Sequence, residues 1–170
     1  MNKIINKKKI TLNKVDLKII NEIKSHYEYN HAASIEILIY LQKKYGWISN
    51  DIIYIIAKLL NISPSEIDSI ATFYSQIFRY PVGKYVIKYC DSVVCYITGY
   101  EKILKIIKNK LKIIPGETTI DSLFTLLPIC CLGLCDKGPS IMINDQIYTS
   151  VSKENINQIL DKYINEKVKS

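Results

Sequence analysis

The chain has 170 residues, 48% apolar and 23% charged, with a net charge of +7. That balance describes a globular protein of one ordinary or two small domains and excludes a disordered one. No apolar run suits a signal peptide or a membrane span, so a cytoplasmic protein without direct membrane insertion is expected. Every basic residue except Arg79 is lysine, amid abundant isoleucine, asparagine and tyrosine. The skew reads as AT-rich codon usage, and the near absence of arginine speaks against nucleic acid as the reason for the charge.

Residues 1–14 read as an N-terminal tail. The first half after it is helical in pattern. VDLKIINEIKSHY places Val15, Ile19, Ile20 and Ile23 on one stripe. A second helix is expected over about 32–45, with Ile35, Leu38, Ile39 and Gln42 at helical spacing and Gly46 as its stop. Ser49 is placed to cap a third, DIIYIIAKLL, which Asn61 closes. Ser63-Pro64-Ser65-Glu66 announces a fourth, with a capping serine, proline at the first helical position and Glu66 completing a capping box. It carries IDSIATFYSQIF and fades near Tyr80.

Pro81-Val82-Gly83 then breaks the chain, and the domain boundary is placed there: a helical domain over 15–80 and a second domain over 81–170. KYVIKYC alternates as a strand does, and CYITGYEKILKIIKNKL reads as a helix. LFTLLPICC is a second strand, SIMIN and QIY form a hairpin around Asn144-Asp145, and SKENINQILDKYINEKV closes as an amphipathic helix. The order implies an α/β sheet with helices packed on it.

Five cysteines fall in two clusters, Cys90-x4-Cys95 and Cys130-Cys131-x3-Cys135. An odd number in a reducing compartment argues against a disulfide framework and for metal. Both clusters lie where a strand ends, so two loops at one sheet edge can bring four thiolates to one place. Zinc is served by four sulfurs, but its knuckles use tighter C-x2-C turns. A 4Fe–4S centre favours a compact C-x2-C-x2-C run, which is absent. The wider loops suit two bridged irons; zinc and plain buried thiols remain open on spacing alone. Such an anionic centre would be served by the helix N-terminus near Cys95 and by the turn at Gly133, with Lys137 read mainly as solvated surface. Strand alternation puts Cys130 and Cys131 on opposite faces, so one of them ligates.

His26 and His31 lie around an interhelix turn and read as surface or capping residues. Trp47, Phe73 and Tyr74 read as core. No nucleotide-binding loop and no Ser/His/Asp arrangement is present. DIIYIIAKLLNISPSEIDSIATFY scans as a helix-turn-helix, which raises an iron–sulfur-sensing DNA binder. Glu66 and Asp68 at the start of its second helix, with no Lys or Arg there, would repel phosphates. A zinc-stapled interaction module is the other rival.

HAASIEILIYLQKKYGWI, IATFYSQIFRYPVGKYVIKYCDSVVCYITGY, GETT and CCLGLCDKGPSIMIN together resemble the small iron–sulfur subunit of NADH:quinone oxidoreductase (complex I), the E subunit in bacteria, over about 30–165. The module also resembles parts of NAD-linked hydrogenases and formate dehydrogenases. The resemblance implies an α+β protein: an N-terminal helical bundle followed by a thioredoxin-like domain carrying one 2Fe–2S cluster. It assigns the ligands to Cys90, Cys95, Cys131 and Cys135 and leaves Cys130 a bystander. It further implies an electron-transfer subunit without a complete active site of its own. That subunit would sit beside a flavoprotein subunit that binds FMN and NADH, among the other peripheral-arm subunits, and so lie on the inner membrane only through the complex. Leu134 and Gly138 depart from the family pattern, where alanine is usual.

Overall fold

In the computed structural model, residues 10–168 are described; the first nine residues of the expected tail lie outside them. Contacts divide the chain into two compact units, 1–81 and 82–170.

The first unit is helical. Helix α1 (Lys14–Ser25) starts on a reciprocal capping box, in which Asn13 accepts from the Asp16 N–H and the Asp16 carboxylate accepts from the Asn13 N–H. Of the expected stripe, Ile20 and Ile23 are buried, whereas Val15 is exposed. A 3-10 turn (Asn30–Ala33) leads into α2 (Ser34–Tyr45), which Gly46 ends in the left-handed conformation at φ 82°. The buried face of α2 is rotated from the expected one. Ile37, Leu38 and Leu41 are buried and Ile39 faces out, because the alternative i, i+1, i+4 stripe is the one that meets the neighbouring helices. Gln42 instead ties the chain, its amide donating to the Gln76 carbonyl at 2.7 Å and its oxygen accepting from the Phe78 N–H at 2.6 Å.

Helix α3 (Asn50–Leu60) begins on Ser49, whose Oγ accepts from the Ile52 N–H, and ends at Asn61 in the left-handed region. Helix α4 (Pro64–Phe73) begins on Ser63, whose Oγ accepts from the Glu66 N–H at 3.2 Å. The capping serine and Pro64 act as expected, but the cap lacks the reciprocal bond to the Glu66 side chain. The helix also stops at Phe73 rather than near Tyr80, since Tyr74 turns extended at ψ 109°. Phe73 and Tyr74 are exposed, Phe73 at 80%, which corrects their reading as core; Trp47 is half-buried. Arg79 holds the irregular stretch after α4, donating to Asp68 Oδ1 and Asn50 Oδ1 at 2.8 Å each and to the Ile48 carbonyl.

The second unit is a four-stranded sheet in the order β2-β1-β3-β4 with helices packed on it. Strand β1 (Tyr85–Cys90) is buried at every position rather than alternating. It pairs parallel with β2 (Phe124–Ile129) and antiparallel with β3 (Ile141–Ile143), which turns through Asn144 at φ 52° into β4 (Gln146–Tyr148). A parallel central strand covered on both faces loses the half-polar pattern. Even Lys88 is only 5% exposed there; burial holds its ammonium below the usual lysine range, and Asp145 offsets this in part.

The crossover from β1 to β2 is two helices, α5 (Val93–Ile97) and α6 (Tyr100–Leu111), because Gly99 at φ 95° breaks the single helix expected. Helix α7 (Ile156–Val168) closes the chain, and Ile156 and Leu160 join Ile103, Ile107, Ile87 and Leu126 in one core. The far end of β1 and β2 is pinned at Gly83. Its N–H donates to Thr125 Oγ1 at 2.6 Å, and an added Cβ would lie 2.9 Å from backbone atoms of Leu123 and Phe124. Among the described residues, no helix is long and apolar enough to cross a membrane.

Candidate metal centre

Parallel pairing sends β1 and β2 out of the sheet side by side, with Cys90 opposite Ile129, and the Asp91 N–H reaches the Ile129 carbonyl just beyond. The two cysteine-bearing loops therefore leave from one edge. From Cys90 the chain turns at Ser92, which has the extended backbone of a helix N-cap, and α5 carries Cys95 back inward. Cys90 and Cys95 are 1% and 2% exposed. From Ile129 the second loop runs through Cys130, Cys131 and the left-handed Gly133 to the 3-10 turn that starts at Cys135.

The sulfurs meet in two pairs. Cys90 and Cys95 share a side-chain hydrogen bond, and Cys131 Sγ lies 3.2 Å from Cys135 Sγ. The pairs are tied to each other by backbone: the Leu132 N–H of the second loop donates to the Cys90 sulfur of the first. The Cys135 thiol also feels charge at both Cys95 and Cys90.

A third segment completes the edge. The Cys90 N–H donates to the Ser140 carbonyl at 3.2 Å, the Ser140 Oγ lies 3.8 Å from Cys95 Sγ, and Ser140 itself is buried. An added Cβ on Gly138 would stand 3.6 Å from both Cys95 Sγ and the Cys135 carbonyl.

Electrostatics separate the thiols. Burial pushes the Cys90 thiol up, but N–H donors from Ser92 and Leu132, the Ser92 hydroxyl and Cys95 outweigh it and hold it below the usual thiol range. Cys95 is pushed up by burial and by its neighbour Cys90, against donors from Ser140. Cys135 is pushed up chiefly by its hydrogen bond with Cys131. Cys131 accepts the Gly133 N–H at 3.4 Å. A set of thiols met by backbone donors fits an iron–sulfur centre, whose charge is held and tuned by N–H groups on sulfur. Among the described residues, no three or more His, Cys, Asp or Glu side chains close around a single metal ion.

The structure thus brings Cys90, Cys95, Cys131 and Cys135 to one sheet edge and leaves Cys130 exposed beside them. His26, His31 and Lys137 are exposed, in keeping with their reading as surface residues. Sequence reasoning missed Ser92, Ser140 and the Leu132 N–H. Ser92 sits where a helix cap belongs, but nothing in the sequence marks the return of residues 138–140 past the cysteines.

Residues 20–164 match the family model described as thioredoxin-like [2Fe-2S] ferredoxin. The chain is similar to the E subunit of NADH-quinone oxidoreductase from Buchnera aphidicola subsp. Acyrthosiphon pisum (strain APS), 52% identical over 91% of this chain and 96% of that one. It is similar also to the E subunit of NADH-quinone oxidoreductase from Escherichia coli (strain K12), 52% identical over 81% of this chain and 83% of that one. Among solved structures, a crystal structure of NAD+-reducing [NiFe]-hydrogenase in the H2-reduced state shares the fold, with a TM-score of 0.67 at 23% identity. The likeness covers 75% of this chain and spans 22% of that one. With a family model across most of its length and relatives at half identity, the chain belongs to the thioredoxin-like [2Fe-2S] ferredoxin family, alongside proteins named as the E subunit of NADH-quinone oxidoreductase.

Proposed function

We propose that the chain is the electron-transferring E subunit of an NADH-quinone oxidoreductase, holding one 2Fe–2S cluster through Cys90, Cys95, Cys131 and Cys135. The observation that carries this reading is the meeting of the two loops, in which the Leu132 N–H reaches the Cys90 sulfur and sets the buried thiol pair against the more accessible one. Relatives of nearly the same length bear the name of that oxidoreductase, which supports the assembly. The helical domain over 15–80 and the thioredoxin-like domain over 81–170 are proposed as its two parts. A flavoprotein subunit carrying FMN and NADH is the proposed neighbour, in a peripheral arm on the cytoplasmic side of the inner membrane.

When bound, a 2Fe–2S cluster takes up and gives back single electrons. The work of this chain is to bring four thiols to one edge and to meet the charge they would carry as ligands with hydrogen-bond donors. Ser92 and Leu132 direct N–H donors at Cys90, Gly133 directs one at Cys131, and Ser140 meets Cys95 with its N–H and hydroxyl. Donors of this kind favour the more negative redox state and raise the potential. Hydride chemistry is left to the partner.

Anaerobic purification with iron, sulfide and zinc analysis, absorption and electron paramagnetic resonance tests the reading. Iron and acid-labile sulfide in equal amounts, with a paramagnetic signal on reduction, are expected. Colourless protein containing zinc would overturn it in favour of a stapled interaction module.

A further inference from the structure

We infer that Cys131 and Cys135 close a reversible disulfide whenever the chain carries no metal, which makes the outer thiol pair a redox modification site. Its significance rests on the ligand roles proposed above. Three observations carry it. Cys131 Sγ and Cys135 Sγ already stand 3.2 Å apart, so they need approach by only about 1 Å to reach the roughly 2.05 Å of a disulfide. Between them lies Gly133 at φ 79°, with nothing within 4 Å of where a Cβ would be, so no neighbour packs against that side of the turn that joins them. Finally, Cys131 is exposed and Cys135 half-buried, whereas Cys90 and Cys95 are shut away at 1% and 2%.

Burial thus divides four thiols into a pair that a small oxidant reaches and a pair that it does not. Exposed Cys130 does not compete for Cys131, because linking adjacent residues closes a small ring strained through its peptide bond.

The reaction is thiol–disulfide exchange with a small-molecule disulfide such as oxidised glutathione. The Cys131 thiolate, which accepts the Gly133 N–H, attacks one glutathione sulfur. A bond from Cys131 to glutathione forms, the glutathione S–S bond breaks, and one glutathione thiolate leaves. Cys135, having given its proton to water, attacks Cys131 Sγ and expels the second glutathione thiolate. Two protein thiols are oxidised to one disulfide, and one glutathione disulfide is reduced to two thiols.

The link removes two of the four donors, so the oxidised chain accepts no iron until a reductant reopens it. It also keeps the outer sulfurs off the irreversible part of the oxidation ladder.

The test uses the full chain, stripped of metal and reduced, then exchanged anaerobically with oxidised glutathione and mapped by peptide mass spectrometry. The Cys131–Cys135 cross-link is expected to exceed any link to Cys90 or Cys95 by about tenfold or more, following thiol access. Cys130→Ser leaves it unchanged, and Cys135→Ser stops at a stable glutathione adduct on Cys131. Native-state alkylation run beside it should modify Cys131 ahead of Cys90 and Cys95. Equal alkylation of all five cysteines, a dominant link to Cys90, Cys95 or Cys130, or lasting adducts in the unaltered chain would each overturn the inference. Failure of the ligand reading is seen separately, as a reduced chain with the cross-linking pattern intact that takes up no iron and sulfide.

Discussion

Gly83→Ala tests how the sheet is pinned at the end opposite the cysteines. An alanine Cβ there would stand 2.9 Å from the Leu123 carbonyl carbon and from Phe124 N and C, all backbone atoms that no rotamer change can move. Ordinary carbon contacts begin near about 3.5 Å, so the entry of β1 and the start of β2 must part by roughly 0.5 Å. That parting stretches the bonds from the Lys84 N–H to the Ser122 carbonyl, now 3.0 Å, and from the Tyr85 N–H to the Leu123 carbonyl, now 2.8 Å. It also disturbs the Gly83 N–H bond to Thr125 Oγ1.

Two weakened bonds at about 1 kcal/mol each are offset by roughly 0.4–1 kcal/mol from a stiffer unfolded chain. A net loss of about 1–2 kcal/mol remains, within the range for overpacking. For a unit of this size that lowers Tm by about 4–15 °C. Thermal unfolding followed by circular dichroism reads the shift, and hydrogen exchange at the Lys84 and Tyr85 amides locates it. A variant that melts with the parent and keeps both amides protected would refute the reasoning.

Four further expectations follow from single residues. Asn144→Ala removes an Oδ1 acceptor for the Val86 N–H at 2.8 Å and an amide donor to the Lys84 carbonyl at 3.1 Å, at a left-handed position. It should cost about 2–3 kcal/mol in denaturant titration, and Asn144→Gly less. Asp16, nearly buried, is pushed up by desolvation but held below the ordinary carboxylate range by Lys44, the Asn13 N–H and Tyr40. Its folded pKa is thus depressed, so its contribution is present above about pH 4 and fades as pH falls through the folded value. Asp16→Asn should flatten that acid limb of the stability profile; an unchanged limb counts against the assignment. Gly138→Ala meets Thr98 Oγ1 at 3.0 Å, which must give by a few tenths of an ångström against its hydrogen bonds to the Val94 and Cys95 carbonyls, and Cys95 Sγ at an ordinary 3.6 Å. It should cost less than about 1 kcal/mol and leave iron content unchanged by metal analysis. Cys131→Ser should abolish the paramagnetic signal while far-ultraviolet circular dichroism stays that of the parent, and should alter peroxide release by the assembled complex.

How much of this was legible in the sequence depended on whether the signal was local. Ser49, Gly46, Asn61 and the Ser63-Pro64 start mark helix ends by chemistry confined to a few residues, and the structure uses each of them. Packing was less legible. Both faces of α2 carry apolar residues, so choosing Ile39 over Ile37 and Leu41 required knowing which neighbours it meets. Tyr74 turns extended although its sequence continues in a helical pattern, and Gly99 splits a helix that the pattern would have run through. At the candidate metal centre, the spacing of Cys90, Cys95, Cys131 and Cys135 could be read because each proposed ligand pair lies on one contiguous loop. The Leu132 N–H and Ser140 could not, since a main-chain donor has no residue signature and residue 140 arrives only after the chain has crossed the sheet.

The return of residues 138–140 past the thiols has a practical consequence for shortened copies of this chain. A protein ending just after Lys137 would keep every cysteine yet lose the carbonyl that receives the Cys90 N–H, the hydroxyl beside Cys95 and the strand that covers one side of β1. Counting sulfurs in a truncated gene therefore says little about whether its product could still hold the proposed cluster, since the last fifth of the polypeptide supplies part of the wall around the thiols.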